Sequence, residues 1–449
     1  MASTYPNGLN GNPASTPIPT STPALNNSEP QYISDSSSSE GEDYTDEAED
    51  RLEHIKTSKV INLPIRSTYT RWGPVAAFRE LVQNWRDAII TSFNLAESEF
   101  IPIREERSNG RNTEIIYKIW KPNSEPKEWL GFIRFNAHDG KGTVEITNRG
   151  GRLEPSHMDM GGTSKANDSH QAGAHGEGLK IALLVFQRGG QNHAVSCESG
   201  GFRWLFNFTT QGRLVARLRR MTPKQVLEAR KKAEKLHKES LVPFVTSAAT
   251  DVRFVIGEKR SGRDEHGLEV WRDQVTREEF DSWCTTAIFL QGLDEVNKVN
   301  TRNGTLITDP RFSGNLYLKG LLLGQSTPLS SASMTGKKLK FGYDFLYGTT
   351  NRERQSMNSS RDECRAMLAI WEWVLKRQPT YVRELSDMLN SSQPSWADIA
   401  MAKDVIKKET VSRLRDHLFS DKSKWYHSNE EKVKVMRSSR HDLDGIPNM

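Results

Sequence analysis

Cysteine is scarce in this sequence. Its 449 residues include three cysteines, Cys197, Cys284 and Cys364, and their wide separation matches no metal-site spacing. Scattered thiols favour a reducing compartment and argue against a disulfide framework. The scarcity therefore predicts an intracellular protein, without deciding between nucleus and cytoplasm.

Long apolar runs are also lacking. No segment approaches the roughly 18 apolar residues that a membrane-spanning helix needs. The first residues, MASTYPNGLNGNPASTP, have neither the basic start nor the apolar core of a signal peptide. We therefore expect no membrane partner.

Several common catalytic signatures are missing. The sequence contains no Walker A phosphate-binding pattern and no G-x-S-x-G nucleophile elbow. His157, His170 and His175 lie around a glycine-rich stretch, but their spacing matches no common zinc site and no cysteine joins them. These absences argue against a P-loop enzyme, an elbow-type serine hydrolase and a zinc enzyme.

Positive charge is absent from the first fifty residues, which carry nine Asp or Glu and no Lys or Arg. The remaining chain therefore holds all 62 basic residues against 48 of the 57 acidic ones. A basic body is compatible with nucleic-acid contact. It is equally what solvated helix faces beside a solubilising tail produce, and composition leaves both interpretations open.

Four segments are predicted along the chain. Residues 1–52 are rich in serine, proline and acid and are expected to be disordered, because they have too little apolar surface to offset the entropy of ordering. Residues 56–258 alternate helical and strand patterns, and residues 259–390 form a second, smaller α/β unit. Residues 391–449 are predicted to be a helical tail.

Apolar periodicity locates the elements. Helices are predicted at 74–93, 179–186, 222–240, 361–377 and 396–408, and strands at 113–120, 129–136, 142–148, 193–198, 202–209, 213–219, 251–256 and 315–324. A turn at Asp139–Gly140 is expected to join two of the strands. Thr222 with Gln225, and Ser395 with Asp398, stand in capping-box positions.

The helix at 74–93 has two contrasting faces. Phe78, Val82, Trp85 and others form an apolar stripe, whereas Glu80, Asn84 and Asp87 lie in one row nearly opposite. A solvated helix face explains the row when it is read alone. The functional interpretation is a carboxylate and an amide oxygen directed at a metal-bound phosphate.

Three motifs follow one another along the chain. ELVQNWRDA at 80–88 fits E-x-x-x-N-x-x-D-A at every fixed position, TSK follows at 163–165, and GAHGEGLK at 173–180 opens a helix. Together they resemble the gyrase, heat-shock chaperone, histidine kinase and MutL (GHKL) ATPases, most closely MutL and the Microrchidia ATPases. The resemblance covers 56–258 well and part of 259–390 loosely.

The resemblance implies a Bergerat-type two-layer α/β sandwich with a mixed sheet, followed by a transducer-like α/β unit. It implies ATP and Mg²⁺ as cofactors, with Glu80 as general base and Asn84 as magnesium ligand. The glycines of the third motif allow close backbone approach to phosphate at a helix N-terminus. The positions implied to contact nucleotide are Asn84, Asp87, Asn148, Gly150, Thr163, Ser164, Lys165, Gly173, His175, Gly176, Gly178, Leu179, Lys180 and Thr250.

The second motif departs from the family pattern D-x-G-x-G. In ITNRGGRL, Asn148 stands in the place of the aspartate that binds adenine, and Arg152 in that of the second glycine. An asparagine oxygen can still accept the adenine amino hydrogen bond, while Arg152 is expected either to close the site or to contact phosphate. The family's phosphate-contacting lysine has two candidates, Lys319 and Arg352, each with a structural role as the alternative.

The leading functional expectation is slow, magnesium-dependent ATP hydrolysis coupled to lid closure or to homodimerisation. A nucleotide-binding or degenerate scaffold that does not hydrolyse ATP is the second expectation, motivated by Asn148 and Arg152. A nucleic-acid or chromatin-associated clamp is the third, motivated by the basic body of the chain.

Overall fold

The computed structural model describes residues 51–63, 65, 72–158, 177–324, 337–350, 356–357, 359–390, 396–402 and 406–420. Residues 47–449 form one compact unit. Of the predicted disordered segment, all but Arg51 and Leu52 lies outside the described residues, and Leu52 is buried. No helix within the described ranges is long and apolar enough to cross a membrane.

The described residues contain helices and strands in alternation, which confirms the α/β class. The helices are α1 (Pro74–Phe93), α2 (Gly178–Gln187), α3 (Pro223–Glu239), α4 (Arg277–Cys284), α5 (Ser360–Arg377), α6 (Val382–Asn390) and α7 (Lys408–Ser420). The strands are β1 (Ser58–Asn62), β2 (Ile103–Asn109), β3 (Asn112–Trp120), β4 (Trp129–His138), β5 (Lys141–Asn148), β6 (Val195–Ser199), β7 (Phe202–Phe208), β8 (Leu214–Arg220), β9 (Val252–Ile256), β10 (Arg260–Arg263), β11 (Glu269–Arg272), β12 (Val275–Thr276), β13 (Lys298–Thr301), β14 (Gly304–Ile307), β15 (Leu316–Leu318), β16 (Leu321–Leu322) and β17 (Gly342–Phe345).

The first sheet has ten strands in the order β1-β8-β7-β6-β9-β5-β4-β3-β2, with β12 beside β5. All of its described pairings are antiparallel. The predicted turn at Asp139–Gly140 is confirmed, because both residues have positive φ (52° and 75°), as a two-residue hairpin turn requires. The sheet reaches Thr276, beyond the boundary predicted near residue 258.

Helix α1 lies on one face of this sheet, where its apolar stripe joins the main core with α2 and α4. It begins with Pro74 at its first position and ends at Asn94, whose φ of 49° stops the helix. Gly131 lets the helix approach the sheet, because a Cβ there would lie 2.9 Å from Trp85 Nε1 and 2.6 Å from the Thr147 carbonyl oxygen.

Helix α3 lies over the opposite face. The expected capping box is confirmed, with Gln225 N donating to Thr222 Oγ1 and Thr222 N donating to Gln225 Oε1. The end of the helix and the following loop pack against Ile116 and Phe132, in a cluster separate from the main core. The first sheet therefore has α1, α2 and α4 on one face and α3 on the other.

The second sheet has five strands in the order β13-β14-β17-β15-β16, and here β15 and β17 are parallel. The resemblance implied a mixed sheet in the first unit, but all described pairings of the first sheet are antiparallel, and the mixed sheet is the second one. Helix α5 covers it, and its Trp371 and Met367 are buried in a second core.

Two predicted elements of the C-terminal half differ from the structure. The strand predicted at 315–324 is a hairpin of β15 and β16, because Lys319 and Gly320 adopt positive φ (53° and 78°) and reverse the chain. The helix predicted at 396–408 is described only in part: Ala397–Ile399 form a 3-10 helix, Ala402 is helical, residues 403–405 lie outside the described ranges, and α7 begins at Lys408. Asp398 accepts hydrogen bonds from Lys340 N and Tyr343 Oη, so it serves tertiary structure instead of a cap.

Candidate functional site

The polar row on α1 is buried. Glu80 and Asp87 are each 2 % exposed, and Asn84 is half-buried. The interpretation of this row as a solvated helix face is therefore wrong. Ionised carboxylates are rarely held inside a protein unless partners or a function require them.

Glu80 is held beside an arginine that joins the two sheets. Arg79 Nη1 lies 3.1 Å from Glu80 Oε1, and Arg79 Nε donates to the carbonyl oxygen of Leu322 in β16 at 2.8 Å. The guanidinium therefore connects the row on α1 to the β15–β16 hairpin. The sequence around Arg79 does not indicate this contact, because Leu322 lies 243 positions away.

Asn148 ends β5 directly beneath α1. Its Nδ2 donates to the carbonyl oxygen of Trp85 at 2.9 Å, and Trp85 Nε1 donates to the carbonyl oxygen of Thr147 at 3.0 Å. A backbone carbonyl can only accept, so the NH₂ group must face the helix, and Oδ1 keeps its acceptor capacity. The structure thus brings Asn148 next to the helix that carries Glu80, Asn84 and Asp87.

The loop after β5 is fixed by Asp251, which the sequence reading did not single out. Asp251 Oδ1 accepts from Gly150 N at 3.1 Å, and its Oδ2 accepts from Ser247 N at 2.7 Å. Gly150 has φ of 66°, a conformation that suits glycine. Thr250 lies in an exposed turn before β9, and its hydroxyl donates to Asp251 Oδ1 at 3.3 Å. The one sequence feature that could have drawn attention to Asp251 is its position directly after Thr250.

Arg152 is paired with two carboxylates near the start of the described chain. Its Nη1 lies 3.3 Å from Glu53 Oε1, and its Nε lies 2.5 Å from Glu154 Oε1. Glu154 Oε2 in turn accepts from Leu52 N. Arg152 therefore ties the loop after β5 to the first turn of the described chain.

The third motif is described only at its end. Gly178 begins α2, Leu179 packs against the main core, and the Lys180 side chain is fully buried. Glu177 at the N-cap makes no capping hydrogen bond through its side chain. The predicted positions Thr163, Ser164, Lys165, Gly173, His175 and Gly176 lie outside the described residues, as does His170.

A chain of charges links Asp87 to the second sheet. Arg86 Nη1 lies 3.4 Å from Asp87 Oδ1, Arg86 Nη2 lies 3.3 Å from Glu97 Oε2, and Lys319 Nζ lies 3.5 Å from Glu97 Oε1. Lys319 thus has an acidic neighbour close to α1. Arg352, the other candidate for the role of the phosphate-contacting lysine, lies outside the described residues.

Asp344 of β17 lies behind the hairpin turn, where Gly320 N donates to its Oδ1 at 2.8 Å. It is half-buried by surface area, but protein surrounds it closely enough that desolvation raises its pKa to about 6. The Gly320 hydrogen bond and the charges of Arg86 and Lys298 oppose this rise, whereas the charge of Glu97 adds to it.

Of the three histidines around the glycine-rich stretch, only His157 lies among the described residues. His157 Nδ1 accepts from Glu154 N at 3.1 Å within a short 3-10 helix, which is a local structural role. Among the residues described, no group of three or more His, Cys, Asp or Glu is placed to hold a metal.

Comparison with known proteins does not extend the resemblance. No model of a protein family matches the chain, and no curated protein matches it. The GHKL resemblance therefore rests on the motifs of this sequence, and the geometry around α1 is the ground on which a function is proposed.

Proposed function

We propose that the protein binds ATP with Mg²⁺ and hydrolyses it slowly. The observation that supports this proposal best is the burial of Glu80 and Asp87 in one row of α1, with half-buried Asn84 between them. Burying a carboxylate raises the free energy of the folded state, and buried carboxylates of this kind are typical of functional sites. The row lies on the helix that also contacts Asn148 and packs against α2.

Glu80 is proposed as the general base. A carboxylate within hydrogen-bond reach of a water next to the terminal phosphate can take its proton during attack. Arg79 is proposed as a positioning residue, because its contacts to both Glu80 and Leu322 fix the carboxylate relative to the second sheet.

The residues fit a magnesium ion whose ligands come partly from the protein and partly from phosphate. Mg²⁺ takes oxygen ligands and is commonly held by few protein groups together with phosphates and water. Asn84 offers an amide oxygen and has a carboxylate about one turn away on each side, Glu80 and Asp87. When bound, the ion would neutralise developing charge on the phosphates, and Asn84 would orient it.

The start of α2 is proposed to hold the phosphates. The first amides of a helix lack partners within the helix and carry the positive end of its dipole. The side chain of Glu177 does not cap them, and anions commonly bind at such an end. Gly178 allows close approach, and Lys180 lies two residues further along the helix.

Adenine recognition is proposed to use Asn148. Because its NH₂ group donates to Trp85, its Oδ1 can accept from the adenine amino group. Asp87, which lies in the same helix as Trp85, and Gly150, which donates to Asp251, would complete that end of the site.

A nucleotide-binding protein that does not hydrolyse ATP is the second candidate. It is favoured by the 3.1 Å contact of Arg79 with Glu80, which engages the proposed base. Homodimerisation and a role as a nucleic-acid clamp stay proposals from the resemblance and the charge; strongly salt-dependent DNA binding would support the clamp.

Phosphate release by Glu80→Ala distinguishes the candidates. Loss of a general base is expected to lower turnover by about 10²–10⁴-fold while ATP affinity is retained. Glu278→Ala, which removes an exposed carboxylate from α4, is the matched control and should leave turnover unchanged. Equal turnover of Glu80→Ala and the native protein would remove Glu80 from the mechanism, and ATP binding without native turnover would favour the second candidate.

A further inference from the structure

A groove of about 640 Å³ runs along the face of the first sheet opposite α1 and α2. Strands β1, β7 and β8 form its floor and α3 forms one wall. We call it the basic groove and define it by Val60, Arg203, Arg217, Arg219 and Lys232. Ile115 lies in the main core and the next residue, Ile116, in the cluster under α3, so the two faces are distinct. The groove is therefore separate from the proposed nucleotide site.

Part of the positive charge in the groove is unmatched. Arg203 pairs with Glu198 at 2.9 Å, and Arg253 pairs with Glu145 at 2.6 Å. By contrast Arg217, Arg219 and Lys232 form no ion pair or side-chain hydrogen bond with any residue that the structure describes. Arg217 and Arg219 are exposed and lie two residues apart, so both point to the groove face of β8.

Strand β1 is the edge of the sheet beside these arginines. Val60 lies opposite Arg217 and Ser58 opposite Arg219. Arg220 N donates to the Thr57 carbonyl oxygen, and Leu63 N donates to that of Leu214.

In an antiparallel pair, residues alternate between sites bonded to the partner and sites bonded outward. The backbone groups of Ser58, Val60 and Asn62 consequently face away from β8, toward the side of β1 on which no described strand lies. Val60 is also 51 % exposed, which is unusual for a valine in a strand.

We propose that the basic groove and the β1 edge bind an extended acidic peptide of a partner protein, which adds a strand next to β1. Backbone hydrogen bonds to Ser58, Val60 and Asn62 would hold the peptide, as in other cases of strand addition. An added strand lies about 4.8 Å from β1 and about 10 Å from β8. The long side chains of Arg217 and Arg219 span that distance and pair with acidic side chains at alternate peptide positions.

The composition of the groove favours a peptide over a nucleic acid. Its remaining lining includes Glu198, Glu228 and Glu258, which would repel a continuous row of phosphates. No aromatic side chain is among the lining residues, so bases find no stacking platform. Aliphatic residues such as Leu205 and Leu236 instead suit the apolar side chains of a peptide whose acidic residues are spaced apart.

Fluorescence anisotropy with the full chain tests the proposal. The probe is a labelled peptide of about ten residues in which glutamate alternates with valine and threonine. The comparison peptide has the same composition with its glutamates in one block. We expect saturable binding of the alternating peptide, weakened about tenfold or more by Arg217→Glu with Arg219→Glu and by Val60→Pro.

Proline at position 60 removes an outward donor without breaking a bond to β8. Arg213→Glu makes the same substitution, with half the charge change of the double variant, at an exposed arginine outside the groove and should leave the affinity unchanged. Methylating alternate backbone nitrogens of the peptide removes its edge donors without altering the protein, so it tests strand addition even if Val60→Pro does not fold. Methylation is expected to weaken binding about tenfold.

Several results would overturn the proposal. They are absence of binding, equal affinity for the alternating and blocked peptides, equal affinity for the methylated peptide, and loss of binding in Arg213→Glu. Preference for a single-stranded oligonucleotide of about ten nucleotides would replace the peptide with a nucleic acid. None of these outcomes depends on whether the protein binds ATP.

Discussion

At the scale of the residue, Asn148 donates a hydrogen bond to a carbonyl oxygen of α1. Its Nδ2 is 2.9 Å from the Trp85 carbonyl oxygen, and the residue is buried. The aspartate that stands here in the GHKL pattern would place a carboxylate against that carbonyl. The difference from the GHKL pattern at this position therefore coincides with a local hydrogen bond that does not involve nucleotide.

Asn148→Asp tests this hydrogen bond. At neutral pH the carboxylate cannot donate to Trp85, so we expect a loss of about 1–3 kcal/mol in the free energy of unfolding. The loss should shrink toward pH 4, because a protonated carboxyl can donate again. Urea unfolding at several pH values measures it. Asn136→Asp introduces the same charge at an exposed strand position and should have little effect; equal losses in the two variants would contradict the account.

Residue-level prediction placed the polar row on one helix but missed its environment. The motif located Glu80, Asn84 and Asp87 on one helix, but burial depends on what packs around the helix and cannot be read from its own period. Asp251 was missed for the same reason, since its partner Gly150 lies 101 positions earlier. Arg79 was missed because its acceptor, Leu322, belongs to another sheet.

At the scale of the element, the β15–β16 hairpin is attached to α1 by charged contacts. Arg79 reaches Leu322, and Lys319 reaches Glu97 beside Arg86. Asp344 lies behind the hairpin turn with a raised pKa of about 6. A displacement of the hairpin would therefore shift Arg79 and, through it, Glu80.

Asp344→Asn tests the electrostatic cost of this junction. A carboxyl whose pKa is raised on folding, from 3.8 to about 6, destabilises the fold as pH rises through that window, because the unfolded chain ionises first. Asparagine keeps an acceptor for Gly320 N and removes the charge.

We therefore expect Asp344→Asn to gain stability relative to the native protein by about 1–2 kcal/mol between pH 4.5 and 7.5. Chemical unfolding at the two pH values measures the gain. Asp281→Asn, at an exposed position of α4, is the control and should show no such trend. A gain that is absent or that grows toward low pH would contradict the role of Asp344.

Elements with strong local signals were predicted well. Helix α1 has the predicted bounds 74–93, because Pro74 and Asn94 mark its ends. The capping box of α3 also has its expected contacts. The hairpin at 316–322 was predicted as one strand, because Lys319 with positive φ gives no local signal. Asp398 looked like a cap residue, but its partners are Lys340 and Tyr343, far away in sequence.

At the scale of the whole molecule, the chain places two sheets around α1. The α/β class was predictable from alternating periodicities, whereas strand order was not, because β1 pairs with β8 and β12 with β5. These pairings join segments more than a hundred residues apart. Within this arrangement the end of β5 contacts α1 through Asn148, and α2 packs against α1.

Calorimetric titration of the full chain with ATP and Mg²⁺ tests the central claim most directly. We expect saturable binding by the native protein, at least about tenfold weaker binding by Asn84→Ala, and unchanged binding by Asn136→Ala, which removes an exposed amide. Absence of ATP binding by the native protein, or equal binding by Asn84→Ala, would contradict the nucleotide site proposed on α1.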